Sequence, residues 1–343
     1  MRKWGIILAK RFKLLLLTGI LSIAALVSGC SNIAVLDPKG PVAKTQSGLI
    51  MYSIIFMLVI VVVIMILLAV MLVKYRERTN LSNYEPNMHG SLKLEVIWTV
   101  IPVLIVIALT VPTVKAIYSL EKAPSVTKDQ KPLVIHATSA DWKWFFSYED
   151  SDIETVNYVN IPVNRPVEFK LVAADTMTSF WVPQLGGQKY AMTGMQMDLF
   201  LQADHEGTYK GRNANFNGRG FEGQKFDVVA QSDADFNAWI KKSQKAPKLT
   251  QDKYDKMLIP GHEEVQTFSG THLGFANHVT DPEYVFYAWK RYNYIPLNPH
   301  NPNQKQELSD KPLLPARSKT ITNARYTEDG KMKHGPTTAK TSH

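Results

Sequence analysis

One cysteine, Cys30, stands in 343 residues. A single thiol excludes an intrachain disulfide and any metal centre built on two thiolates, so the folded part must rest on its apolar core. Histidine is also sparse where it would matter. Between Pro132 and Ala230 the only two are His136 and His205, and that region has no Cys at all, which excludes a mononuclear copper site of two His, a Cys and a Met. The formal charge is +9, yet the basic C-terminal tail has no clustered arginines, so it carries no nucleic-acid signature. The same positive balance is a poor docking surface for a cationic protein donor. Charge is absent altogether from Leu49 to Val73.

That uncharged run is about 25 residues, long enough for a slightly tilted membrane helix. A second span runs from Leu94 to Tyr118 and carries Pro102 and Pro112; membrane helices tolerate such prolines when a neighbouring helix covers the freed carbonyls. Lys74, Arg76, Arg78 and Lys93 lie between the spans, which puts this loop in the cytoplasm and the chain from about residue 119 outside. Residues 1–29 read as a secretory signal. Arg2, Lys3, Lys10, Arg11 and Lys13 precede the apolar run Leu14–Val27, about the usual length of a signal core. The segment closes on Val27-Ser28-Gly29-Cys30, which resembles the lipobox of bacterial lipoproteins. That resemblance implies lipidation of Cys30 and cleavage before it, each acyl chain adding about 0.8 kcal/mol per buried CH2 to membrane anchoring.

From Pro132 the pattern changes to short alternating or β-branched runs broken by Gly, Pro and Asn. Strands are expected at Leu133–Ser139, Trp142–Tyr148, Thr155–Ile161, Val167–Ala173, Gln196–Ala203 and Phe226–Ala230, and such short strands suggest an antiparallel sandwich or barrel. Ser232-Asp-Ala-Asp235 reads as a capping box opening a short helix to about Lys245. Residues 246–343 form an extension with expected helices at Thr250–Met257 and Asp281–Tyr294. The second is rich in aromatics, which suits packing on the sandwich or on a partner. From about Asn298 the composition predicts a mobile tail. His272 and His278 have no evident third ligand, so a structural or solvated role is expected. His89 in the loop is given no role. Met192, Met195 and Met197 suit packing or a partner contact better than a metal.

The run Asp175-Thr-Met-Thr-Ser-Phe-Trp-Val-Pro183, followed by Gly207-Thr-Tyr-Lys-Gly-Arg-Asn-Ala-Asn-Phe-Asn-Gly218, resembles the second subunit of heme–copper respiratory oxidases. Leu36-Asp-Pro-Lys-Gly-Pro41 and Pro183-Gln-Leu-Gly-Gly-Gln-Lys-Tyr-Ala-Met-Thr-Gly-Met195 resemble its quinol oxidase branch, and the likeness spans roughly residues 30–245. In the cytochrome c oxidase branch this region holds a two-copper centre on two Cys, two His, a Met and a backbone carbonyl. The resemblance places those ligands where this chain has Thr178 and Phe221 (the His positions), Asn213 and Asn217 (the Cys positions), Asn215 (the carbonyl donor) and Gln224 (the Met position). None supplies thiolate or imidazole, so no metal is expected here.

The resemblance implies a fold and a role. The expected fold is a hairpin of two transmembrane α-helices (49–73 and 94–118, with an external segment 30–48 and a cytoplasmic loop 74–93). An extracytoplasmic all-β cupredoxin-like sandwich follows (125–245), then the C-terminal extension (246–343). The expected role is subunit II of a proton-pumping terminal quinol oxidase in a bacterial plasma membrane, with no cofactor in this chain. Hemes and catalytic copper belong to subunit I, quinol is the substrate of the complex, and partners are subunit I, further small membrane subunits and lipids, not cytochrome c. Leu94-Glu-Val-Ile-Trp-Thr-Val-Ile-Pro102 looks like the family motif whose Glu sits at the entrance of a proton channel, which singles out Glu95. Trp142-Lys-Trp144-Phe-Phe146 resembles the family's aromatic strand. Without a copper acceptor its electron-transfer role lapses, and Trp142 and Trp144 are expected to be structural. Two rivals remain: a cytochrome c oxidase subunit with working copper, and a non-catalytic lipoprotein that assists oxidase assembly.

Overall fold

The computed structural model describes residues 33–75, 90–124, 127, 129–296 and 304–317. The signal segment with Cys30, most of the loop with His89, and the chain beyond 317 lie outside the described residues. The chain divides into two units, Met1–Asp37 and Pro38–His343. Of the first, a single 3-10 turn, Ala34–Leu36, is described.

Helix α1 spans Pro41–Lys74 and helix α2 spans Leu92–Leu120. Pro41 fits the first helical position, where its missing N–H costs nothing. At 34 residues, α1 is about 51 Å long, well beyond the roughly 30 Å of a bilayer's hydrocarbon. The expected span began at Leu49, and the surplus first turns have a local cause. Lys39 donates its N–H to Gln184 O (2.7 Å), Ala43 donates to Leu185 O (3.1 Å), and Asp204 donates to Lys39 O (2.8 Å). Val42 joins the core of the sandwich. Only glycine fits at Gly40, where a Cβ would meet Gln202 O at 1.9 Å. Pro112 cannot donate to the carbonyl of Ala108, and the Tyr52 hydroxyl on α1 reaches that carbonyl at 3.3 Å. The freed acceptor is thus covered by the neighbouring helix.

Two sheets form the sandwich. The strands are β1 (Leu133–Ala140), β2 (Lys143–Tyr148), β3 (Ile153–Val156), β4 (Tyr158–Pro162), β5 (Val167–Ala173), β6 (Thr178–Val182), β7 (Gly186–Ala191), β8 (Met197–Leu201), β9 (Gly207–Asn213), β10 (Lys225–Gln231) and β11 (Gln266–Ser269). One sheet runs β11-β3-β2-β1-β5-β8 and the other β4-β10-β9-β6-β7. Most pairings are antiparallel, but β1–β5 and β10–β4 are parallel. Inward side chains alternate along the strands: Leu133, Ile135 and Ala137 on β1, and Trp144, Phe146 and Tyr148 on β2, enter one core with Phe169, Phe180 and Phe226. Phe180 stacks on Phe226 at 4.8 Å and meets Trp144 edge-on at 5.2 Å.

The strand expected over Thr155–Ile161 is two strands in two different sheets. Asn157 breaks it at φ +58°, a conformation Asn tolerates better than most residues. Its side chain accepts from Trp144 N–H (2.9 Å) and donates to Glu263 O (2.6 Å), which fixes the corner. Strands β6, β7, β9 and β11 are additions to those expected.

Helix α3 (Asp233–Ser243) opens as its sequence implies, with the Ser232 side chain accepting from Asp235 N–H. Helices α4 (Gln251–Met257) and α5 (Tyr284–Arg291) belong to the extension. They build a second core with Phe145, Val156, Leu249, Tyr254, Leu258, Val285 and Trp289, covering the outer face of the six-stranded sheet. Within the stretch expected to be mobile, residues 304–317 bond back to this layer. Ser309 donates to Tyr292 O (2.9 Å), Leu313 to Arg291 O (2.7 Å) and Arg317 Nη1 to Asp281 Oδ2 (2.8 Å).

Candidate functional site

One end of the sandwich gathers the positions that the resemblance assigns to copper ligands. Thr178 opens β6, Asn213 closes β9, and the loop to β10 carries Asn215, Asn217, Phe221 and Gln224. The backbone folds this loop over the sheet, with Asn213 N–H donating to Gln224 O (2.9 Å) and Ala214 N–H to Ser179 O (2.9 Å).

The amides then bond one another. Asn213 Nδ2 and Asn217 Nδ2 both donate to Gln224 Oε1, each at 2.9 Å. Gln224 Nε2 donates to Ser139 Oγ (3.1 Å) and to the carbonyls of Ala140 and Lys143 (3.3 Å each). Asn213 Oδ1 accepts from the N–H groups of Ser179 (2.8 Å) and Asn215 (2.9 Å). Asn215 Nδ2 donates to Met177 O (2.9 Å). Phe221 turns away and packs against Phe216 at 5.6 Å. Two oxygens, Thr178 Oγ1 and Asn217 Oδ1, are buried without a partner.

This donor set does not fit a two-copper centre. Copper shuttling between its oxidation states is served by soft sulfur and imidazole, and the key amide groups are already spent on each other and on the backbone. Among the described residues no group of three or more His, Cys, Asp or Glu side chains is placed to hold a metal ion.

Trp144 lies in the inner core with no exposure, while Trp142 is nearly covered. The Trp142 indole N–H donates to Asn217 O (3.0 Å), and its ring lies 6.1 Å from that of His262. The loop's glycines make room for it: a Cβ at Gly220 would come within 2.2 Å of the indole.

Sequence reasoning missed the charged groups beneath this end. Lys143 is fully buried, and its ammonium donates to the carbonyls of Met257 (2.6 Å) and Ile259 (2.7 Å). Burial pushes its pKa down to about 8, with Glu263, Asp175 and Asp141 opposing. Asp175 accepts from the N–H groups of Asp141 (2.9 Å) and Thr176 (2.7 Å). Burial, reinforced by the charge of Asp141, pushes its pKa up to about 7. Asp141 Oδ1 in turn accepts from Asn217 Nδ2 (3.0 Å). A lysine alternating with tryptophans in Trp142-Lys143-Trp144 was the available signal, since period-two alternation sends it to the face opposite the core.

A pH dependence follows. Between about pH 4 and pH 7 the folded chain keeps a proton on Asp175 that the unfolded chain has released, so stability falls as pH rises through that window. The expected loss is roughly 2–4 kcal/mol. Asp175→Asn should flatten it. Denaturant unfolding of the full chain in detergent at pH 5 and pH 7.5 checks this, and an equal decline in both proteins would remove Asp175 as its source.

Glu95 is not part of this cluster. It lies in the first turn of α2, exposed, about 38 Å along the helix from its last residue, Leu120. Its N–H donates to Ser91 O (3.0 Å), and its carbonyl accepts from Thr99 Oγ1 (2.8 Å).

Comparison with known proteins places this geometry in context. The family described as cytochrome c oxidase subunit II, transmembrane domain, matches residues 30–116. The chain is 58% identical over 299 residues to quinol oxidase subunit 2 of Bacillus spizizenii, covering 86% of this chain and 93% of that relative. It is 57% identical over 299 residues to quinol oxidase subunit 2 of Bacillus subtilis, with the same coverage, 86% and 93%. Among solved structures it is similar to the periplasmic domain of subunit II of cytochrome oxidase from Bradyrhizobium japonicum. That likeness has 22% identity and a TM-score of 0.32, and covers 33% of this chain and 94% of that one.

Proposed function

We propose, from the premise that this chain belongs to the quinol oxidase subunit 2 family of the heme–copper oxidases, that it serves a complex which oxidises membrane quinol, reduces O2 to water and moves protons outward. The two apolar helices anchor the chain in a bacterial plasma membrane, and their exposed apolar faces are covered by subunit I, further small membrane subunits and lipid. Cys30 carries the lipid anchor on the outer side. Glu95 collects protons at the cytoplasmic edge and passes them toward subunit I, which holds the hemes and the catalytic copper. The sandwich is an outer cap that stabilises the assembly.

The observation that carries this reading is the closed amide network. Gln224 Oε1 accepts from both Asn213 and Asn217, so the amides at positions that would receive electrons from a soluble donor are bonded to one another. Reducing equivalents then enter within the bilayer. Oxygen uptake by the purified complex tests it: turnover is expected with reduced quinols, and only background with reduced cytochrome c. Rapid turnover fed by cytochrome c alone, or stoichiometric copper in the outer domain, would overturn the reading.

A further inference from the structure

A cavity of about 510 Å³ opens between the outer ends of the two membrane helices. Pro41, Val42 and Thr45 at the start of α1 line one side, and Leu120, Ala123 and Pro124 line the other. Its two hydroxyl side chains are turned to their own helix. Thr45 Oγ1 donates to Pro41 O (3.1 Å) and Ser119 Oγ donates to Ala116 O (3.0 Å). With those hydrogens spent, the wall is largely apolar, and Lys122 is the one charged residue in it.

The gap continues inward along α1. Pro41, Thr45, Gly48 and Tyr52 recur at i, i+4, i+7 and i+11, one stripe of that helix. Tyr52 fixes the direction of the stripe, because its hydroxyl reaches Ala108 O on α2. Between Thr45 and Tyr52, a Cβ on Gly48 would meet nothing within 4 Å.

The charges of α2 set the depth. Glu95 and Lys115 bracket an uncharged run, Val96–Val114. At 1.5 Å per residue they stand about 30 Å apart, the thickness of bilayer hydrocarbon. With Glu95 at the inner edge, Lys115 reaches the outer edge. Ser119 and Lys122 follow about 6 Å and 10 Å further out, an interval that holds the headgroup layer of one leaflet, about 5–8 Å thick. Positions 115, 119 and 122 also recur at i, i+4 and i+7, on one stripe. Glu121, two residues from Ser119, falls on the opposite side. Lys115 and Lys122 are both exposed, and neither makes an ion pair or side-chain hydrogen bond among the described residues. A lysine at the hydrocarbon edge turns its ammonium outward to the headgroups.

We infer that this cleft seats one anionic phospholipid of the outer leaflet. Its phosphate lies between the Lys115 and Lys122 ammonium groups, whose flexible four-carbon stems let both converge on one anion. The glycerol ester carbons and first methylenes cover the apolar wall, and an acyl chain descends past Gly48 into the hydrocarbon. Two unpaired cations at headgroup depth beside an apolar slot match a molecule that is anionic there and apolar below. A free phosphate gains nothing from the wall, and a zwitterionic lipid brings a cation of its own to the lysines. The inference depends on the membrane placement of the two helices, not on the electron donor, so its failure leaves the oxygen-uptake result standing.

Photocrosslinking on the purified complex in phosphatidylcholine nanodiscs tests this. The probes are phosphatidylglycerol and phosphatidylcholine, each with a diazirine near the ester end of one acyl chain. Phosphatidylglycerol should label residues 41–52 and 115–124 at least about tenfold more than the matched phosphatidylcholine. Lys115→Met combined with Lys122→Met should abolish that preference. Gly48→Phe, which leaves the charges alone, should lower labelling of these segments about tenfold by filling the path of the chain. Both lysines lie on the outer side, so their loss leaves the topology set by the inner basic loop intact, and subunit content of the purified variants checks assembly. The inference is overturned by no label in these segments, which would mean that a partner subunit fills the cavity. It is equally overturned by equal labelling from the two lipids, or by variants that label like the parent.

Discussion

Replacing Glu95 with glutamine should slow oxygen uptake by the assembled complex by about tenfold or more, within the range that a positioned proton-transfer group contributes. The substitution keeps size and hydrogen-bonding reach but removes the site that can hold a proton. Glu95 also has a structural role, because an acidic side chain in the first turn of α2 interacts favourably with the positive end of the helix dipole. That effect is worth about 0.3–1 kcal/mol at an exposed site, too little to disturb assembly. The Glu95 carboxylate has room to move, since its neighbour at Gly90 lacks the Cβ that would stand 3.2 Å from Glu95 Oε1. Yield and subunit content should therefore be unchanged in Glu95→Gln, and Glu95→Asp should retain much of the rate. Unaltered turnover in the glutamine variant would leave Glu95 with the helix-end role alone.

The membrane-helix hairpin was legible because lipid leaves a blunt mark: no charge from 49 to 73, and prolines in α2 that need a neighbour. The early start of α1 was not, because it depends on contacts with residues distant in the chain. Pro41 opens the helix, but Gln184, Leu185 and Gln202 decide that Lys39, Gly40 and Ala43 lie against the sandwich. Strands with regular apolar alternation, such as Val167–Ala173, were found with their boundaries intact. Gly207–Asn213 was missed as a strand because Thr208, Lys210 and Arg212 occupy its outward positions and a glycine, Gly211, stands at one of its inward ones. Thr155–Ile161 looked continuous because β-branched residues flank Asn157, and only the positive φ at that asparagine reveals a corner between sheets. That positions 178, 213, 217, 221 and 224 offer neither thiolate nor imidazole could be read from residue types alone. That the replacing amides bond each other could not, since Asn213, Asn217 and Gln224 are brought together by β9, its loop and β10. Lys143 posed the same problem: its burial is created by the carbonyls of Met257 and Ile259, more than a hundred residues later.

The outer layer that buries Lys143 contains a buried ion cluster around Asp255, and Arg291→Met should destabilise the full chain by about 3–5 kcal/mol, as expected when one member of a buried pair is removed. Asp255 is fully buried; Arg291 Nη1 donates to its Oδ2 and the Tyr284 hydroxyl to its Oδ1 (2.7 Å). Arg291 Nη2 donates to Asp252 Oδ1 at 2.6 Å, and its Nε to Leu314 O at 3.1 Å. Burial already raises the Asp255 pKa, with the bonds from Tyr284 and Arg291 holding it back; without the guanidinium the carboxyl is left desolvated with one neutral partner. If the uncompensated carboxylate is the cause, Asp255→Asn combined with Arg291→Met should recover about half of the loss, because the amide keeps the Tyr284 bond and carries no charge. Denaturant unfolding of the four proteins in detergent gives the coupling directly. Residues 304–317 should also become the earliest site of proteolysis in Arg291→Met, since the Leu314 carbonyl loses its side-chain donor there. If the double variant is as unstable as the single, packing of the long arginine stem, not its charge, holds the extension on the sandwich.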